Sequence, residues 1–153
     1  MERKVLIAII AVVVVLILVG GAVAFMLGGK NIGSQKTTTF DIQGMRVEIL
    51  QPGTGEGAKA EDYVTVHYSG TLTDGTEYDS SIKRNTPFTF QLGQNRVIQG
   101  WDLGLVGAKV GEKRRLTIPF ELGYGADGFP PTIPQKATLI YTIDIMGLNN
   151  IPQ

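Results

Sequence analysis

The residues able to do chemistry are few, and their types exclude more than they offer. The 153-residue chain has one histidine and no cysteine. A thiol nucleophile, a disulfide scaffold, cysteine-ligated zinc or iron–sulfur and a two-histidine metal site are therefore excluded. The lone imidazole, His67, lies between Val66 and Tyr68 in an alternating apolar run, which gives it a structural role on the opposite strand face. Ser69 precedes Gly70 without the leading glycine of a nucleophile elbow. Gly53-Thr54-Gly55-Glu56-Gly57 is glycine-rich, but no helical pattern follows it to present a phosphate-binding N-terminus. Gly107 to Lys113 lacks the spacing of a P-loop. No constellation for nucleophilic or metal catalysis remains, and no cofactor or metal is expected.

What stands out is aromatic. Phe88, Phe90, Trp101, Phe120, Tyr124, Phe129 and Tyr141 crowd the C-terminal half, with Tyr68 and Tyr78 upstream. Most such residues build cores. The segment Gly123-Tyr124-Gly125-Ala126-Asp127-Gly128-Phe129-Pro130-Pro131 is different. It is a loop sequence carrying large rings among glycines and prolines, and such loops cover or line binding sites. Asp79 follows Tyr78, and Asp79-Ser80-Ser81 reads as turn chemistry. The chemistry this set offers is binding and desolvation.

Strands must position these rings. Val64, Val66 and Tyr68 alternate with polar neighbours, as do Phe88, Phe90 and Leu92, then Leu116 and Ile118; Leu139, Tyr141, Ile143 and Ile145 alternate with more mixed partners. Arg46 to Leu50 is a weaker fifth strand. Turn signals at Pro52-Gly53, Asp74-Gly75, Asn85 to Pro87 and Val110-Gly111 separate them. Only Val97 to Val106 suggests a helix, and Gly100 and Gly104 make it short and dependent on packing. The expected class is α+β, an antiparallel sheet covered on one face by one short helix.

The N-terminal region is of another kind. Val5 to Leu27 are 23 consecutive residues without a charged, amide or hydroxyl side chain. As a helix they would span about 34 Å, enough for the hydrocarbon core of a bilayer. Residues 1–27 are expected to be a single transmembrane anchor. The rival reading is a signal peptide cleaved after Ala22-Val23-Ala24, but the apolar run is longer than a signal core. Arg3 and Lys4 favour a cytoplasmic N-terminus and an extracytoplasmic domain. Residues 28–39 read as a flexible tether and 40–153 as the domain. From Phe40 onward there are 10 Lys/Arg against 13 Asp/Glu, a net of −3. That balance argues against a nucleic-acid partner.

Six ordered motifs then converge on one family. They are Val66-His67-Tyr68-Ser69-Gly70, Asp74 to Ser81, Pro87 to Gly93, Val97 to Asp102, Gly123 to Ala126, and Ile133-Pro134 through Leu139. Together they resemble the FKBP-type peptidyl-prolyl cis–trans isomerases, the immunophilins that bind tacrolimus and rapamycin. The resemblance implies a twisted sheet wrapped around one short helix, an isomerase working on proline-containing polypeptides, and binding of those drugs. It implies Trp101 as the floor of a proline pocket. Tyr68, Phe88, Val97, Ile98 and Tyr141 would be its walls, with Tyr124 and Asp79 at the rim and Arg84 beside Asp79 and Tyr68. The Ile98 amide would meet a ligand carbonyl. Tyr68, Asp79, Trp101 and Tyr124 are the expected catalytic set; Tyr78, Phe129 and Ile133 join the expected binding residues. The sequence departs from the family at Tyr78 and Tyr141, where phenylalanine is usual, at Phe129, where histidine is frequent, and at Thr132. The alternative is a membrane-tethered module that binds proline peptides with little turnover.

Overall fold

A computed structural model describes residues 37–149. Seven strands form one antiparallel sheet: β1 (Thr38–Ile42), β2 (Met45–Gln51), β3 (Tyr63–Leu72), β4 (Glu77–Ser80), β5 (Phe88–Gln91), β6 (Lys113–Ile118) and β7 (Leu139–Leu148). Their order is β1-β2-β6-β7-β3-β4, and β5 also pairs with β3. Among the described residues there is one α-helix, α1 (Gln99–Gly104), and a short 3-10 turn at Phe120–Leu122. The class is the one the periodicity predicts, and each alternating run named above falls in a strand, except that β5 ends at Gln91, one residue before Leu92.

The apolar face of β2, β3, β6 and β7 closes on α1. Val47, Val64, Val66, Leu116, Ile118, Leu139 and Ile143 are fully buried there, with Leu105 just past the helix end. The two helix glycines explain how a helix so short is held. A Cβ on Gly100 would lie 2.6 Å from Ile118 Cγ2, and one on Gly104 would lie 2.9 Å from Leu116 Cδ1. Glycine lets the backbone of α1 settle onto β6, so packing offsets poor helix propensity.

Three boundaries differ from expectation. β1 begins at Thr38, so Thr38 and Thr39, read as tether, pair with Ile49 and Glu48 in the sheet. The helix is shorter than Val97–Val106: Val97 lies in a bend, Ile98 is an extended N-cap, and Leu105 and Val106 belong to the turn that follows. Asp79 is no turn residue but lies in β4 opposite Gly70. The expected anchor, 1–27, and most of the expected tether lie outside the described residues. Among the described residues, no helix is long and apolar enough to cross a membrane.

β4 and β5 act as one interrupted strand. β3 pairs through Ser69, Gly70 and Thr71 with β4, and through Tyr63 to Val66 with β5. Residues 81–87 leave the sheet between them and close on themselves, with Thr86 N donating to Ser81 O at 3.2 Å.

Candidate active site

The register of β3 builds the site. Tyr68 points to the inner face, two residues from Gly70, and both sit opposite β7, where Gly70 pairs with Tyr141. A Cβ on Gly70 would lie 2.8 Å from Tyr141 Cε1 and 3.0 Å from Tyr78 Cζ. Only glycine leaves room for two tyrosine rings at this point of the strand. Across from it, β4 carries a bulge: Gly70 faces Asp79 while Thr71 faces Glu77. Tyr78 is the extra residue. The bulge lets two consecutive side chains serve the same side of the sheet, which regular alternation forbids. Tyr78 packs on Tyr141, and Asp79 reaches the Tyr68 hydroxyl.

Trp101 comes from α1 and is nearly fully buried. Tyr68 and Tyr141 stand edge-on to its indole, each with centroids 5.1 Å away and planes at 84°. Phe88 adds a third ring at 6.3 Å and 67°. Behind it, Phe90 stacks on Phe88 at 5.6 Å and also touches the indole. The result is a flat floor with perpendicular aromatic walls. It encloses a cavity of about 190 Å³ lined by Tyr68, Asp79, Phe88, Arg96, Val97, Ile98, Trp101, Tyr124 and Tyr141.

The polar rim is tied together. Tyr68 donates its hydroxyl proton to Asp79 Oδ2 at 2.6 Å. Arg84 donates to the Tyr68 oxygen at 2.9 Å and to Asp79 Oδ1. Burial pushes the Asp79 carboxyl up, but the hydrogen bonds from Tyr68 and Arg84 outweigh it and hold it below its usual range. Burial, followed by the Asp79 hydrogen bond, raises the Tyr68 phenol. Burial likewise raises Tyr78 and Tyr141. The carboxylate is therefore ionised and the phenols protonated at neutral pH. Among the described residues, no hydrogen bond engages the Ile98 N–H, while the Ile98 carbonyl accepts from Trp101 N at 2.9 Å.

Three of the expected binding residues lie off the cavity. Tyr78 is behind Tyr141, with centroids 5.8 Å apart. Ile133 is buried in the core and bonded through its backbone to Phe129. Phe129 is 61% exposed and leans on Tyr124, so it braces the rim from outside. The Tyr78 hydroxyl and Trp101 Nε1 are buried without a partner among the described residues. An orphaned hydroxyl is destabilising. Tyr78→Phe is accordingly expected to stabilise the domain by about 1 kcal/mol, raising Tm by roughly 4 °C in a thermal melt. A lower Tm would mean that the hydroxyl has a partner in solution.

Supporting residues escaped the sequence reading. Asp102 accepts from Gly93 N at 2.8 Å and Asn95 N at 3.0 Å, pinning the loop that carries Val97 and Ile98 to the helix that carries Trp101. Ser81, fully buried, accepts from Tyr68 N at 2.8 Å and bonds His67 Nδ1 at 3.0 Å, which makes His67 structural as expected. Arg96 also lines the cavity, and its only signal in the sequence was an isolated charge before Val97-Ile98.

Comparison with known proteins gives the family. The family model described as FKBP-type peptidyl-prolyl cis-trans isomerase matches residues 54–146. FK506-binding protein 1A of Aspergillus fumigatus is 50% identical over 108 residues, covering 70% of this chain and 96% of that protein. Peptidyl-prolyl cis-trans isomerase FKBP15-2 of Arabidopsis thaliana is 50% identical over 116 residues, covering 74% and 71%. Peptidyl-prolyl cis-trans isomerase FKBP2 of Homo sapiens is 54% identical over 87 residues, covering 57% and 61%. The chain belongs to the FKBP-type peptidyl-prolyl cis–trans isomerases, and an enzyme of that class is what the fold and the aromatic cavity define.

Proposed function

We propose that the cavity over Trp101 is where this isomerase turns Xaa–Pro bonds, and that it serves proteins folding outside the cytoplasm, held at a membrane by residues 1–27. The observation that carries the site assignment is the pair of tyrosine rings standing at 84° to the Trp101 indole. Rotation about an Xaa–Pro bond meets a barrier near 18–20 kcal/mol set by amide resonance. Lowering it needs neither proton nor nucleophile, only tighter binding of the twisted amide than of either planar form. Twisting removes resonance and reduces the charge on the carbonyl oxygen, so an aromatic, water-poor surround favours it over the planar amide. A proline ring lying on Trp101 between Tyr68, Phe88 and Tyr141 is held while the preceding carbonyl swings. The Ile98 N–H is positioned to anchor the peptide on the helix side. Tacrolimus and rapamycin would compete for the same surface, in keeping with the name of the fungal relative.

The test is the cis-to-trans rate of a blocked Xaa–Pro peptide with residues 35–153, with and without rapamycin. Acceleration abolished by the drug is the expected result, with kcat/KM flat from about pH 5 to 9, because Asp79 titrates below that window and the three phenols above it. Acceleration that the drug leaves untouched would move the chemistry elsewhere, and a folded domain without turnover would make it a proline-binding module. A bell-shaped profile would show that a titrating base takes part. The membrane role rests on the apolar run from Val5 to Leu27 and the basic residues before it. Protease added to spheroplasts should remove the domain while the chain sediments with membranes. A protected domain would end that reading, and a soluble product lacking the first residues would replace the anchor by a signal peptide.

A further inference from the structure

Two charged residues line the cavity, Asp79 and Arg96. They are in opposite states. Asp79 is engaged twice over, by the Tyr68 hydroxyl and by the Arg84 guanidinium, so its charge is matched within the rim. Lys83, next along the chain from that pair, is itself bonded to Glu77. Arg96 is exposed and makes no hydrogen bond or ion pair with any described residue. It directly precedes Val97 and Ile98, the wall residues whose loop Asp102 pins to α1. The base of Arg96 is therefore fixed beside the cavity while its guanidinium remains uncommitted. The domain as a whole is acidic, 10 basic against 13 acidic residues from Phe40 onward, yet the charge left over at this mouth is positive.

We propose that Arg96 is a specificity residue, biasing the enzyme toward prolines that have a carboxylate side chain within two residues in the bound polypeptide. The inference rests on the cavity being the active site. An arginine presents a planar fork of donors suited to a carboxylate, and no described residue competes for it. The pairing is solvent-exposed, so its effect is modest and sensitive to salt. Preference for an acidic over a basic flank should be about two- to fivefold in kcat/KM at low ionic strength. A cleft walled by aromatic rings concentrates the field of one uncompensated charge at the point where the peptide enters.

The experiment uses the full-length chain in detergent and blocked peptides with Glu, Gln or Lys one or two residues to either side of one proline. Isomerisation is followed by NMR exchange at about 20 mM and 1 M salt. The expected order is Glu, then Gln, then Lys, collapsing at high salt. Arg96→Glu should reverse the order, and Arg96→Gln should erase it. Reversal is the decisive readout, since a merely structural role for Arg96 would alter all three peptides together. Acceleration of the Gln peptide without any difference between Glu and Lys overturns this proposal and leaves the active-site assignment standing. No acceleration of the Gln peptide, or acceleration that rapamycin fails to block, overturns the assignment itself.

Discussion

Arg114→Met is expected to cost the domain about 3–5 kcal/mol, a large part of the 5–15 kcal/mol that holds a typical domain together. Arg114 and its ion-pair partner Glu112 are each only 3% exposed. The guanidinium also donates to Gly104 O at 2.7 Å and Val106 O at 3.1 Å, the carbonyls where α1 ends. Glu112 accepts in turn from Lys109 N. Methionine fills the stem volume but leaves a buried carboxylate without its counter-charge and two carbonyls without a donor. Urea unfolding, followed by the fluorescence of the only tryptophan, should shift its midpoint down by on the order of 2 M. The double variant Glu112→Met with Arg114→Met should recover part of the loss, because the stranded charge goes with its partner. A loss under about 1 kcal/mol in the single variant would mean that water replaces the guanidinium beside Glu112. Because Gly104 closes the helix that carries Trp101, the same variant should also lower activity at temperatures where it is still mostly folded.

Trp101→Leu is expected to reduce kcat/KM by on the order of tenfold or more, equivalent to about 1.4 kcal/mol of transition-state binding. The indole is the surface on which Tyr68, Phe88 and Tyr141 all converge. Leucine is smaller and has no flat face, so the walls lose their edge-on contacts and the proline ring loses its floor. Stability should fall too, by about 2–3 kcal/mol, less than for truncation to alanine. The two effects are separable. Val47→Ala on β2 also removes buried volume, but it lies outside the cavity and should leave kcat/KM per folded molecule unchanged. If Trp101→Leu loses stability only, the indole is core and the catalytic surface is the rim. Rapamycin affinity should fall in step with activity.

The strands that were legible in the sequence are those with one buried face. β3 and β7 alternate cleanly because every second residue enters the core. β1 was missed for the complementary reason: four of its five residues are exposed, and pairing with β2 alone supports it. β4 was hidden by Asp79-Ser80-Ser81, whose turn chemistry is real locally but is overridden by pairing with β3. The run Glu112-Lys113-Arg114-Arg115 looks like a solvated charge cluster. Its period of two carries Glu112 and Arg114 onto the same inner face as Leu116 and Ile118. Nothing in composition marks that choice; it follows from α1 needing a donor at its end. The site was legible as a set of aromatic residues but not as a shape. Periodicity assigns each ring to a face, whereas the meeting of Tyr68, Trp101 and Tyr141 depends on strand order. The motif resemblance supplied that order, and it also placed Tyr78 and Phe129 nearer the cavity than they lie. Arg96 and Asp102 went unread as parts of the site because an isolated charge carries no pattern.

The excursion between β4 and β5 makes the lip of the cavity modular. The chain leaves the sheet after Ser80 and rejoins it at Phe88, always alongside β3. Register on one side is set by Asp79 opposite Gly70, and on the other by Phe88 opposite Val66. Neither depends on how many residues lie between. Ser81, whose buried hydroxyl bonds the Tyr68 amide, is the fixed end. Arg84 is a second fixed point, reaching back to Asp79 and the Tyr68 hydroxyl, whereas Ile82 is more than half exposed. Provided Arg84 keeps its reach to Asp79 and Tyr68, the rest of this stretch can lengthen, shorten or change character while the floor and walls keep their places. Insertions confined to it retune what approaches the cavity without asking the sheet to refold, which makes the lip a natural place to graft new partner preferences onto an unchanged rotamase.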